Sequence, residues 1–209
     1  MHQPKPAQRF QANFALKRLF DIAVSAAALL ALTPVFFAIG VAIQLTSPGP
    51  VLYKAKRVGL NGKPFTLYKF RSMIVSADKV GPRITAGSDT RVTPIGRVLR
   101  RTKMDELPQL LNVLKGDMSL VGPRPEDPTY VQKYTPEQRR ILDVKPGITS
   151  PASVEYRNEE AILQGPDWEH KYLTEVMPAK LKLDMDYAKD PSVDQDIRII
   201  LKTVQRIFS

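Results

Sequence analysis

From residue 22 to residue 45 the chain runs for 24 positions without a charged residue. As a straight helix that run would reach about 36 Å, enough to cross a hydrocarbon core of about 30 Å. It is apolar all round, unlike a helix that covers a soluble core with one face. Thr33-Pro34 interrupts it near its middle. Proline removes a backbone hydrogen bond and clashes with the carbonyl four residues back, that of Leu30. The run is therefore predicted to kink at mid-depth, with the Thr33 hydroxyl serving a freed backbone group. Lys17 and Arg18 flank one end, while Lys54, Lys56 and Arg57 follow the other. Both basic ends favour the cytoplasmic side, which a bent, re-entrant hairpin satisfies and a straight span does not. A cleaved signal peptide fits poorly, because the run is long and lies inside the chain.

Ser47-Pro48-Gly49-Pro50 ends this run as a turn. Two strand-like stretches follow, 51–58 and 64–73, joined through Gly59-Leu60-Asn61-Gly62. Asn-Gly between β-favouring runs predicts a hairpin. Its cations, Lys54, Lys56, Arg57, Lys69 and Arg71, are expected to divide between the membrane surface and a site. Residues 76–89 read as a loop. Thr93-Pro94 predicts a cap and first residue for a helix that carries Arg97, Arg100 and Arg101 on one face. Leu107, Leu110, Leu111 and Leu114 repeat at helical spacing, and Gly116 is a natural stop. Thr135 caps a short helix, 145–148 is a turn, and 150–158 reads as irregular or a short strand. Residues 167–188 carry a helical pattern interrupted at Pro178. In 193–208, Ile197, Ile200, Leu201, Val204 and Phe208 share a face opposite Arg198, Lys202 and Arg206. That face either packs in the core or lies at a membrane interface.

These elements predict an α+β fold, mostly helical. An N-terminal segment, 1–45, carries the re-entrant membrane helix. A cytosolic catalytic domain, 46–209, contains the β-hairpin and amphipathic helices at the membrane interface.

Composition narrows the chemistry. The chain has no cysteine, which excludes disulfides, thiolate metal sites and a cysteine nucleophile. Its histidines are His2 and His170, so neither a histidine-based triad nor a zinc cluster is expected. The net charge of +10 is uneven: residues 46–124 hold 15 Lys and Arg against 5 Asp and Glu, whereas 125–209 are net acidic. A positive middle segment implies anionic partners, whether nucleotides, nucleic acid or lipid headgroups. No helix-turn-helix, zinc finger or aromatic stacking set supports nucleic acid. The competing class is a non-enzymatic, membrane-tethered adaptor that binds acidic lipid or nucleic acid.

The span 97–125, RVLRRTKMDELPQLLNVLKGDMSLVGPRP, concentrates the candidate chemistry. Asp105 and Glu106 follow the arginines directly, and Gly122-Pro123-Arg124-Pro125 closes the span with a stiff backbone carrying one cation. Asp105 has two readings, which are compatible. It can cap the 107–114 helix, with Pro108 in the first turn. Alternatively, carboxylates among guanidinium groups form a site for a phosphate-bearing substrate, with a hard metal ion reconciling the charges. Cations and helix N–H groups are expected to keep Asp105 ionised.

Four stretches then carry a resemblance: LKRLFDIAVSAAALLALTPVF, SPGPVLYKAKRVGLNGKPFTLYKFRSM, DTRVTPIGRVLRRTKMDELPQLLNVLKGDMSLVGPRPE and KPGIT, together running from Leu16 to Thr149. The chain resembles the bacterial sugar transferases, in their short form the monotopic phosphoglycosyl transferases, which start glycoconjugate and exopolysaccharide synthesis. That family breaks its re-entrant helix at Ser-Pro, and Thr33-Pro34 keeps the hydroxyl and the proline. The resemblance implies Asp105 as nucleophile and metal ligand, Mg²⁺ as cofactor, a UDP-sugar donor and a polyprenol (undecaprenyl) phosphate acceptor. It implies UMP release, a covalent phosphosugar-aspartate intermediate and a place at the bacterial inner membrane among phospholipids. Glu106 then orients the metal or the nucleophile, and Arg100, Arg124 and Lys69 are the candidates for phosphate contacts. After KPGIT the family commonly reads Gly, an apolar residue, Ala-Gln-Val. Here Ser150-Pro151-Ala152-Ser153-Val154 follows, which leaves the sugar open.

Overall fold

The computed structural model describes residues 6–77, 89–165 and 167–208, with side chains described from Phe14 to Arg206 within those ranges. Most of the stretch read as a loop at 76–89, and the side chain of Phe208, lie outside the described residues.

The apolar run forms two helices, α1 (Pro6–Ala31) and α2 (Thr33–Thr46). Their segments 14–31 and 33–46 meet at 61°. Pro34 lies in the first turn of α2, and the Thr33 hydroxyl donates to the Leu29 carbonyl at 2.9 Å. Among the described residues no single helix is long and apolar enough to cross a membrane, whereas the bent pair together matches a broken span or a re-entrant loop by length and composition alone.

Helix α1 is amphipathic in the inverted sense. Lys17, Asp21 and Ser25, at four-residue spacing, are buried. Leu16, Leu19, Ile22, Val24 and Leu30 are exposed, Leu30 by 78%. A helix in water buries its apolar face, and this one turns that face outward. The Lys17 ammonium donates to the Val121 carbonyl at 3.0 Å and pairs with Asp196, and Asp21 accepts the Leu120 N–H at 3.0 Å. Arg18 donates to the carbonyls of Val113 and Leu114 at 2.6 and 3.0 Å. The basic pair that flanks the apolar run therefore ties it to the rest of the chain.

Strands β1 (Leu52–Val58) and β2 (Pro64–Phe70) form the antiparallel hairpin, pairing Leu52 with Phe70 and Val58 with Pro64. Asn61 and Gly62 take left-handed backbone in the turn (φ 55° and 73°), which explains their preference for that place. The hairpin cations divide further than the sequence suggests. Arg71 donates to the Pro48 and Ser47 carbonyls at the end of α2, Arg57 pairs with Asp127, and Lys69 turns to the site. Lys54 and Lys56 are exposed.

Helix α3 (Pro94–Arg101) starts as the sequence predicts, with the Gly96 N–H donating to the Thr93 hydroxyl at 3.0 Å. A Cβ on Gly96 would stand 1.9 Å from the Ser72 carbonyl oxygen, so α3 passes directly over the chain leaving the hairpin. Helix α4 (Gln109–Lys115) ends at Gly116, whose φ of 90° satisfies the left-handed stop. The buried Asn112 locks α4 to the edge of β2: its side chain accepts the Tyr68 N–H at 3.0 Å and donates to the Thr66 carbonyl at 2.7 Å.

Two short strands not foreseen in the sequence, β3 (Ser119–Val121) and β4 (Gly147–Thr149), pair in parallel. Gly122 and Gly147 lie so close that a Cβ on Gly147 would stand 2.1 Å from the Gly122 nitrogen. Helix α5 (Pro128–Val131) and a 3₁₀ turn, Gln138–Asp143, follow the Arg124 loop, and the Gln138 N–H donates to the Thr135 hydroxyl at 3.2 Å.

The expectation for 150–158 is corrected. These residues contain helix α6 (Pro151–Glu155), because the Ser150 hydroxyl accepts the Ser153 N–H at 2.9 Å and Pro151 opens the first turn. Helices α7 (Glu159–Ile162), α8 (Trp168–Lys171) and α9 (Met177–Ala188) follow, α8 and α9 being joined by a π-helical stretch, Tyr172–Val176. Pro178 falls in the first turn of α9, where its missing N–H is tolerated. The last helix, α10 (Val193–Phe208), packs through Ile199, Ile200 and the buried Asp196. Ile197, Leu201 and Val204 are exposed, so this stripe is not core.

Candidate active site

The site forms where β2, the end of α3, a one-turn 3₁₀ helix (Met104–Glu106) and the Gly122–Pro125 loop converge. Helix α3 does not run on into α4. It ends at Thr102, and Lys103 follows in left-handed backbone (φ 58°, ψ 14°), turning the chain into the 3₁₀ helix. This overturns the capping role for Asp105. Pro108 stands at the start of α4, and no side chain caps it. A capping carboxylate accepts a backbone N–H. Among the described residues the buried Asp105 Oδ1 has no hydrogen-bond partner.

Glu106 is the opposite case. Its Oε1 accepts from Lys69 Nζ at 2.8 Å and from Arg124 Nη2 at 2.7 Å, while Oε2 stands 3.4 Å from Arg124 Nη1. Burial alone would raise the Glu106 carboxyl, but the charges and hydrogen bonds of Arg124 and Lys69 outweigh it and hold the group well below its usual range. Glu106 in turn raises Arg124. Glu106 is thus a fixed anion joining β2 to the arginine loop.

Asp105 titrates the other way. Burial pushes its carboxyl above the usual range and the neighbouring Glu106 adds to this, while Lys69, Lys103 and Arg100 oppose them. The expectation that cations dominate at Asp105 is therefore corrected: desolvation does. Asp105 carries a buried, uncompensated oxygen, and Glu106 does not.

The cations predicted for phosphate contacts converge only in part. Lys69 and Arg124 meet at Glu106. Arg100 acts on Asp105 electrostatically, but its guanidinium pairs with Glu160 of α7. Arg97 and Arg101 are exposed.

Asp184, a buried side chain on α9, carries no local signal of its role. It accepts the Arg124 N–H at 3.2 Å and the Ala152 N–H at 2.9 Å, pinning the arginine loop to the start of α6. Asp184→Ala leaves both donors without their acceptor. The expected cost is about 1–3 kcal/mol of stability, read as a lowered Tm of the purified chain.

Comparison with known proteins adds an independent line. A family model described as bacterial sugar transferase matches residues 12–209. An Escherichia coli K12 protein named UDP-glucose:undecaprenyl-phosphate glucose-1-phosphate transferase is 40% identical over 205 residues, covering 94% of this chain and 41% of that protein. An Aeromonas hydrophila protein named UDP-N-acetylgalactosamine-undecaprenyl-phosphate N-acetylgalactosaminephosphotransferase is 37% identical over 213 residues, covering 99% of this chain and 45% of its own. A Caulobacter vibrioides protein with the same name as the Escherichia coli one is 39% identical over 199 residues, covering 92% of this chain and 70% of its own. The chain spans less than half the length of the first two.

Proposed function

Because the chain belongs to the bacterial sugar transferase family, we propose that it transfers a sugar 1-phosphate from a UDP-sugar to undecaprenyl phosphate. UMP leaves, and the reaction passes through an acyl phosphate, the mixed anhydride of the Asp105 carboxylate and the sugar phosphate. One observation carries the assignment of the nucleophile. Of the two adjacent carboxylates, Glu106 is held by Lys69 and Arg124, whereas Asp105 has a buried oxygen that no described residue satisfies.

In the first step an Asp105 oxygen attacks the sugar-bearing phosphorus. The bond from that phosphorus to the bridging oxygen breaks, and UMP departs with the electron pair. In the second step an oxygen of undecaprenyl phosphate attacks the same phosphorus, and the Asp105 carboxylate leaves. The products are the undecaprenyl diphosphate sugar and the free enzyme. Two displacements replace one, as covalent catalysis does generally. Desolvation makes the ionised Asp105 reactive, while the opposing Lys69, Lys103 and Arg100 charges keep ionisation attainable. Arg124 and Lys69 supply positive charge where the phosphate oxygens gather.

The donor set fits Mg²⁺ of the substrate-bridged kind. Among the described residues no group of three or more His, Asp or Glu could hold a metal alone. Mg²⁺ is commonly held by one or two carboxylates together with substrate phosphates, so Asp105, with its unpartnered oxygen, and the donor diphosphate would hold it. When bound, Mg²⁺ offsets the negative charge of the diphosphate.

A place at the cytoplasmic membrane, with the catalytic part on the cytoplasmic face, is supported by the outward apolar face of α1, the bend at Thr33-Pro34 and the exposed stripe of α10. In that arrangement α1 and α2 enter and leave on one side, and Ile197, Leu201 and Val204 lie in the interface among phospholipids. The acceptor phosphate then stands at the depth of the site. Cysteines placed singly at positions 3 and 60 test this, there being no native thiols. Both are expected to react only after the inner membrane is opened; labelling of position 3 from the periplasm contradicts the hairpin. Pro34→Leu is expected to move some molecules to a spanning form, because it restores the missing helical bond.

The activity itself is tested with the purified chain in nanodiscs, given Mg²⁺, undecaprenyl phosphate and a panel containing UDP-glucose and UDP-N-acetylgalactosamine. Release of UMP with formation of an undecaprenyl diphosphate sugar is expected for at least one donor. No turnover with any UDP-sugar contradicts the proposal.

A further inference from the structure

Lys103 occupies a position that the backbone reserves for another residue type. It follows the C-cap of α3 in left-handed conformation, the place where helices ordinarily put glycine or asparagine. For a longer L-residue that conformation costs about 1–2 kcal/mol. The described non-glycine residues with positive φ are Asn61, Ser76 and Lys103, and Lys103 alone carries a long charged side chain. Backbone strain of this sort clusters at functional sites.

What surrounds Lys103 says what the side chain is for. Lys103 is half-buried and stands two residues before the buried Asp105, at the turn that opens the Met104–Glu106 helix, with Arg124, Glu106, Asp105 and Lys69 in electrostatic range. The other nearby cations each have a carboxylate partner: Lys69 and Arg124 have Glu106, and Arg100 has Glu160. No hydrogen bond or ion pair engages the Lys103 ammonium among the described residues. A half-buried cation without a protein partner is a cost in the free protein, and an anionic ligand reduces that cost.

We propose that Lys103 is a catalytic residue whose ammonium binds an oxygen of the donor's diphosphate, on the phosphoryl group that Asp105 attacks. The assignment rests on the reaction proposed above and adds a third cation to it. The left-handed turn puts Lys103 and Asp105 on one short rigid corner, so the cation and the nucleophile move together. Arg100 pairs with Glu160 of α7, whereas Lys103 is the nearby cation without a carboxylate partner among the described residues.

The test uses the full chain in nanodiscs and two probes, UDP and uridine, with binding measured by calorimetry and turnover by UMP release. Lys103→Asn suits the left-handed backbone and removes the charge, while Lys103→Arg keeps the charge. The Asn variant is expected to bind UDP about tenfold more weakly, with uridine affinity unchanged, as the loss of one charge-assisted phosphate contact requires. Its kcat/KM should fall at least as much, with an equal or higher Tm. The Arg variant should recover most of the UDP affinity. If the Asn variant binds UDP as tightly as the wild type, or loses UDP and uridine affinity in equal measure, the assignment is overturned while the reaction stands. If the wild-type chain binds neither probe and releases no UMP, the proposed reaction falls, and this assignment with it.

Discussion

Asp105→Asn is expected to abolish turnover, by several orders of magnitude, without loosening the fold. The substitution keeps the side chain's size and removes the anion that attacks phosphorus. Stability should hold or rise, and the sign follows from the direction of the pKa. The folded Asp105 carboxyl titrates above its usual range because it is buried. Its protonated form is therefore the one the fold prefers. That contribution is complete at pH below the ordinary carboxylate range and is lost as pH rises through the raised value. At neutral pH the ionised carboxylate is a net cost, which the amide avoids. Asp105→Glu should fail as well, since one methylene shifts the attacking oxygen by about 1 Å, a displacement that can cost about a hundredfold in rate. Tm and UMP release measured on the same preparations check both statements. A clear drop in the Tm of the Asn variant would make Asp105 a structural carboxylate.

Arg124 is the second position with a large expected effect. Arg124→Ala should cost about 2–4 kcal/mol of transition-state stabilisation, read as a fall in kcat/KM, because it removes a donor fork from the phosphate site. It also leaves Glu106 held by Lys69 alone. Arg124→Lys should rescue little, since an ammonium cannot reproduce the two-pronged contact with the Glu106 carboxylate. Lys115→Ala is the control. Lys115 Nζ donates to the Tyr68 hydroxyl at 2.8 Å on the exposed side, so kcat/KM should barely change. Equal effects at Lys115 and Arg124 would reduce the Arg124 loop to a corner of the fold.

Local signals in the sequence were readable where one element specifies itself. The break at Thr33-Pro34, the Asn61-Gly62 turn, the Thr93 cap and the Gly116 stop each follow from one or two residues and their backbone preferences. Asp105, Glu106, Lys69 and Arg124 also meet as expected, the first two because they are adjacent. Contacts between distant parts of the chain left no such trace. Lys17 reads as a flank of an apolar run, yet its partner is Asp196, 179 residues away. Asp184 supports the Arg124 loop from α9, and Glu160 of α7 pairs with Arg100, 60 residues away. The parallel pair β3 and β4 is three residues long on each side, too short for periodicity to reveal. The capping reading of Asp105 failed for a related reason. Nothing at Lys103 suggests a left-handed residue, so the end of α3 and the separate 3₁₀ turn were hidden. The reading of 150–158 as irregular or a short strand overlooks a local signal, the Ser150 cap with Pro151 behind it, which points to a helix.

A covalent phosphosugar on Asp105 is the central claim, and it is tested most directly by omitting the acceptor. Wild-type chain incubated with a UDP-sugar that it turns over, and with no undecaprenyl phosphate, should release at most about one UMP per enzyme before hydrolysis sets in. The intact mass should rise by one sugar phosphate, on the peptide that contains Asp105. If UMP appears only when undecaprenyl phosphate is present and no adduct can be trapped, the sugar phosphate passes directly to the acceptor, and Asp105 is at most a metal ligand.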